Sequence, residues 1–159
     1  MKKQAKEKLR ELRQVAKTDL TKYLVTPEQE FVESSVILAL VTESKIPSRK
    51  ELGVSPSSYV LGLLDAIGEL KRTVFDSIRK SDAKTAESMF SAMQRLYVLI
   101  SPLSVYDNIA QGVKRKLDVA RILIEDTRAA VTEDARRREF ISAVNRLSER
   151  LNEELERSK

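Results

Sequence analysis

Apolar residues recur along most of this chain at intervals of three and four, the period of a helix with one buried face. Leu9, Leu12, Ala16 and Leu20 set that spacing among Lys, Arg and Glu, which predicts a first helix over residues 2–24. Thr26-Pro27-Glu28-Gln29 then reads as an N-cap, a first-turn proline and a capping box, so a second helix is expected to run to about residue 43. Residues 44–53 hold Pro47 and Gly53 and read as a loop. Ser55-Pro56 opens a third helix to about residue 80, and Asp82 caps a fourth to about residue 100. Ser101-Pro102 breaks the pattern. From about Val105 the chain reads as helical nearly to its end.

That last segment carries two seams with alternating gaps of four and three. Val113, Leu117, Ala120, Ile124, Thr127 and Val131 form the first; Phe140, Val144, Leu147 and Leu151 form the second. The polar stretch 132–139 separates them, and one long helix or two joined near Thr132 both satisfy the pattern. Such spacing usually packs against a partner helix. No strand alternation or internal repeat appears. The expected class is all-α: an antiparallel helical bundle of five to six helices, ending in a long one, as a single domain over residues 1–159.

Composition narrows the chemistry. With 159 residues the chain can bury a real core. It has no cysteine and no histidine, which excludes disulfides, thiolate metal sites and every histidine-based triad. An active site must use carboxylates, Lys, Arg, hydroxyls or a metal. The longest apolar run, residues 36–41, is far too short for a bilayer, and Met-Lys-Lys begins no signal peptide. The expected location is cytoplasmic, with no membrane partner. The net charge of +5, from 29 basic and 24 acidic residues, permits an anionic partner without demanding one.

The carboxylates are the sharper signal. On a helical wheel Glu30 and Glu33 lie within about 60° of each other, on a helix that becomes apolar all round from Ser35. The helix dipole accounts for acids in a first turn, but Glu33 lies beyond it. On the third helix Asp65 and Glu69 share a face that continues to Arg72. A solvated polar stripe is the ordinary reading of that face. Gly62 and Gly68 each cost about 1 kcal/mol in a helix relative to alanine, and such glycines often admit a close neighbour. If the second and third helices pack antiparallel, four carboxylates meet. Their repulsion is relieved by a hard divalent cation, Mg²⁺ or Mn²⁺, which prefers oxygen ligands and can activate water against a phosphodiester.

Two separated motifs carry a family resemblance. QEFVE at residues 29–33 and VSPSSYVLGLLDAIGELKR at residues 54–72 resemble stretches of the translin family, in its catalytic, translin-associated factor X (TRAX-like) branch. FDSI and, more loosely, YDNIAQGVKRKLDVARILIED from Tyr106 extend the likeness over residues 8–126. The resemblance implies an archaeal chain of helical fold that assembles into a hollow homo-oligomer, usually an octamer, with RNA or single-stranded DNA inside. It implies a metal-dependent endoribonuclease with Glu30, Glu33 and Asp65 as catalytic residues and Glu69 as a further acidic ligand. Ser58 departs from an aspartate frequent in the family, a leading helical element is missing, shortened or removed, and residues 127–159 fall outside the pattern.

Arg72, Arg79 and Lys80, then Lys114-Arg115-Lys116, are the candidate contacts for nucleic-acid phosphates, and Arg136–Arg138 form another cluster. Ordinary solvated helix surface is the competing explanation for each. Tyr59, Phe75, Tyr97 and Tyr106 could stack bases, though core packing is their commoner use. The expected function is Mg²⁺-dependent cleavage of single-stranded RNA. The alternatives are a binder of single-stranded nucleic acid without chemistry, and a helical oligomeric scaffold.

Overall fold

The computed structural model describes residues 2–15, 22–106 and 112–157. Among them are six α-helices and no strand: α1 (Lys2–Val15), α2 (Val25–Val41), α3 (Arg49–Leu52), α4 (Pro56–Arg79), α5 (Ala83–Ile100) and α6 (Val113–Arg157). A 3₁₀ segment, Ser101–Tyr106, follows α5. The expected continuation of the first helix over residues 16–21 lies outside the described residues, as do residues 107–111 of the motif beginning at Tyr106.

Local chemistry sets most boundaries. The Ser55 hydroxyl accepts from the Ser58 N–H while Pro56 occupies the first turn of α4, and Asp82 accepts from Thr85 N–H to open α5. The expected cap at Thr26 is not used. Residues 22–24 already turn as a 3₁₀ segment, so α2 begins at Val25 with Leu24 in helical conformation and no side-chain cap. The expected loop 44–53 contains one helical turn, α3, closed by a capping box between Ser48 and Glu51 and ended by Gly53 at φ 70°. The C-terminal segment is one helix of 45 residues, and the polar stretch near Thr132 does not break it.

The order of contacts corrects one expectation. α2 and α4 run parallel. Glu28 meets Ser55, Gly62 lies against Gln29 and Val32, and Leu40 and Val41 share a cavity wall with Thr73. The reason is the linker. Residues 42–55 can span roughly 40 Å even with one helical turn inside, while α2 is only about 25 Å long. The chain therefore returns to the start of α2 before α4 begins. α5 turns back along α4, and α6 runs beside both, antiparallel to α5 and parallel to α4. Val32, Val36, Ile67, Leu70, Met93 and Ile100 fill the centre, closed by Val113, Leu117 and Ala120 of α6. No helix among the described residues is long and apolar enough to cross a membrane.

Candidate functional site: an acidic face across α2, α4 and α6

Close approach of α2 and α4 creates the site. A Cβ on Gly62 would lie 2.7 Å from both the Gln29 carbonyl and the Val32 side chain, so only glycine lets the helices meet here. Gly68 has no such role, since nothing lies within 4 Å of a Cβ built there. It lines a cavity of about 380 Å³ between α4 and α6, together with Leu64, Asp65, Gly112, Arg115 and Lys116.

Parallel packing places the carboxylates at matching heights. Glu33 is half-buried, and its carboxyl is pushed above the ordinary glutamate range. Burial is the largest cause, followed by the negative charges of Glu30, Asp65 and Glu69, with Lys116 pulling the other way. The charges of acids from both helices therefore act on Glu33. Asp65 is half-buried and receives a tight hydrogen bond from Lys116 Nζ. Glu30 and Glu69 stand at the exposed rim, and Glu69 lies 3.9 Å from Arg72.

Carboxylate oxygens are the donors a hard cation takes, and an added positive charge would relieve the repulsion on Glu33. The Lys116 ammonium already plays a cation's part beside Asp65. As the side chains stand, no group of three or more His, Cys, Asp or Glu among the described residues is arranged to hold a metal ion.

The basic residues separate into two sets. Arg115 and Lys116 line the cavity beside Asp65, with Lys114 exposed on the same turn. Arg72 is exposed one turn beyond Glu69, whereas Arg79 pairs with Asp76 at 3.1 Å and Lys80 caps the far end of α4. Of the aromatics, Tyr59 donates to the Pro47 carbonyl at 3.0 Å, and Tyr97 packs on the core. Phe75 and Tyr106 are exposed, and Lys71 Nζ sits 5.6 Å from the Phe75 ring centre.

A second carboxylate centre was not anticipated. Glu28, the acid in the first turn of α2, is only 5% exposed. Arg13 Nε donates to it at 2.9 Å and Ser55 N–H at 2.9 Å, and the same guanidinium bonds the Gly53 carbonyl. Burial alone would raise the Glu28 pKa. Hydrogen bonds from Ser55, Arg13 and Ser58, with the Arg13 charge, outweigh it and hold the carboxyl below the ordinary range. Ser58, the departure from the family motif, is fully buried in this network and accepts from Ser55 Oγ at 2.8 Å.

Comparison with known proteins follows the same lines. The translin family's sequence profile matches residues 2–131. An uncharacterised protein of Methanocaldococcus jannaschii is 35% identical over 123 residues, which cover 76% of this chain and 55% of the relative. The chain thus spans little more than half of that relative's length. The crystal structure of AfC3PO superposes with a TM-score of 0.73 at 29% identity, over 84% of this chain and 70% of that one. The structure of AfC3PO with duplex RNA gives 0.71 at 27%, over 83% and 69%.

Proposed function

The chain belongs to the translin family, and from that premise we propose that it binds RNA and cleaves it with a divalent cation, as a TRAX-like member. The observation that carries this reading is the cluster around Glu33, whose raised carboxyl feels Glu30, Asp65 and Glu69 across two helices that approach closely at Gly62. Glu30, Glu33, Asp65 and Glu69 would hold Mg²⁺ or Mn²⁺, and such an ion, when bound, polarises a phosphate and acidifies water.

The chain's own residues supply the rest. Asp65 is positioned by Lys116, so its carboxylate keeps one orientation at the mouth of the α4–α6 cavity. Arg115 at that mouth and Arg72 beyond Glu69 offer phosphate contacts flanking the acids. Phosphate contacts of this kind position a strand without reading its bases, so affinity is expected to fall steeply with salt. AfC3PO has been solved with duplex RNA, which makes duplex as well as single-stranded RNA a ligand to test here. A homo-oligomeric shell, an octamer on the family resemblance, would hold the RNA inside.

A second reading is a translin-like binder without chemistry. The Lys116–Asp65 pair favours it, because an ammonium already neutralises one of the four acids. One experiment separates them. Short single-stranded and duplex RNAs are incubated with wild type or Asp65→Asn, in Mg²⁺, in Mn²⁺ or in EDTA. The nuclease reading expects cleavage in wild type with metal alone, and retained RNA without cleavage in Asp65→Asn. RNA retained uncut in every arm supports the binder. Equal cleavage in all arms removes the role given to these acids.

A further inference from the structure

The two seams of α6 meet different surroundings. Val113, Leu117, Ala120, Ile124 and Thr127 are buried. The bundle lets the helix go at Arg138, which pairs with Glu87 of α5 at 3.0 Å and with Asp134 at 2.9 Å. Residues 139–154 are all exposed. Phe140, Val144, Leu147 and Leu151 nevertheless keep their spacing, with Phe140 69% and Leu147 59% exposed. The family match stops at residue 131, so the second seam lies beyond the matched residues. An ordered apolar stripe of this length on a projecting helix marks a contact surface.

We propose that residues 136–155 pair antiparallel with the same segment of a second copy, about a two-fold axis between residues 145 and 146. The seam is its own mirror under that operation. Phe140 falls opposite Leu151 of the second copy, and Val144 opposite Leu147 of the second copy. A two-fold contact makes each pairing twice. Charge selects the same arrangement. Residues 136–146 hold four arginines and one glutamate, while residues 149–157 hold four glutamates and two arginines. Antiparallel pairing lays each block on its opposite and brings Arg137 to Glu154 of the second copy. A parallel, in-register pair would stack arginines on arginines, and like charges across a helix pair select against it. Ala143 and Ser148, flanking the seam, are small enough to let the helices close.

Light scattering on the full chain tests the surface. Wild type is expected to form an even-numbered assembly whose mass falls by at least half in Leu147→Asp, with helicity and melting temperature retained because the residue is exposed. A monomeric wild type, or a mass unchanged by Leu147→Asp, overturns the proposal. Orientation is read separately, since the chain has no cysteine. Under mild oxidation, Phe140→Cys mixed with Leu151→Cys is expected to give the 140–151 disulfide. Phe140→Cys alone is expected to stay reduced, because the two copies of position 140 would lie about 16 Å apart along the axis. A strong 140–140 disulfide overturns the antiparallel pairing. Neither readout involves RNA, so the contact and the nuclease reading can fail independently.

Discussion

Glu28 and Glu33 lie five residues apart on α2, both withdrawn from solvent, and their carboxyls are driven in opposite directions. Glu28 is saturated: a guanidinium, a backbone N–H and a hydroxyl satisfy its charge, and its proton affinity drops. Glu33 is surrounded by its own sign, and its proton affinity rises. The first pattern is what a structural carboxylate needs, because a buried charge is tolerable only when paired and hydrogen-bonded. The second stores repulsion that a bound cation can relieve, which is what a metal or catalytic site needs. Burial alone does not tell the two apart; the sign of the neighbours does.

The largest expected effect comes from breaking the saturated side. Glu28→Gln leaves Arg13 without its partner, and breaking a buried ion pair is expected to cost about 3 kcal/mol. Urea unfolding measures it, and a loss within error of zero would reduce this network to decoration. Ser58→Ala removes one hydroxyl from the same network and is expected to cost about 1–2 kcal/mol. Glu33→Gln is expected to change stability by less than about 1 kcal/mol, neutral or stabilising, because it removes a repelled charge.

The two carboxyls also bend the pH profile of stability oppositely. The contribution of Glu28, with its folded pKa depressed, is complete above the ordinary glutamate pKa and is lost as pH falls through the folded value. For Glu33, with its folded pKa raised, stability is greatest below the ordinary value and declines as pH rises through the folded one. Unfolding curves across the acid range should therefore show a shallower low-pH fall in Glu28→Gln. They should lose their decline at higher pH in Glu33→Gln. Identical profiles in the two variants would erase the contrast.

Short-range chemistry was legible in the sequence. The Ser55-Pro56 and Asp82 caps, the glycine contact at Gly62 and both seams of α6 follow from residue types a few positions apart. Even α3 had a readable signal, the Ser48-x-x-Glu51 capping box. The parallel run of α2 and α4 was not legible, because it depends on the path a long linker takes. The role of Glu28 was hidden because its partners, Arg13 and Ser55, sit 15 and 27 residues away. Lys116 was half-visible. The run Lys114-Arg115-Lys116 reads as a phosphate patch, yet position 116 lies next to buried Leu117 and one turn from Val113 and Ala120, and helical phase turns it inward to Asp65.

The central claim is that the repelled carboxyls of α2 and α4 hold a divalent cation. Calorimetric titration of Mn²⁺ into wild type and Glu33→Gln at several pH values tests it most directly. Wild-type affinity is expected to strengthen as pH rises through the raised Glu33 pKa, and to weaken at least tenfold in Glu33→Gln with the pH dependence gone. Equal, pH-independent binding by the two proteins, or no binding by either, would contradict the claim.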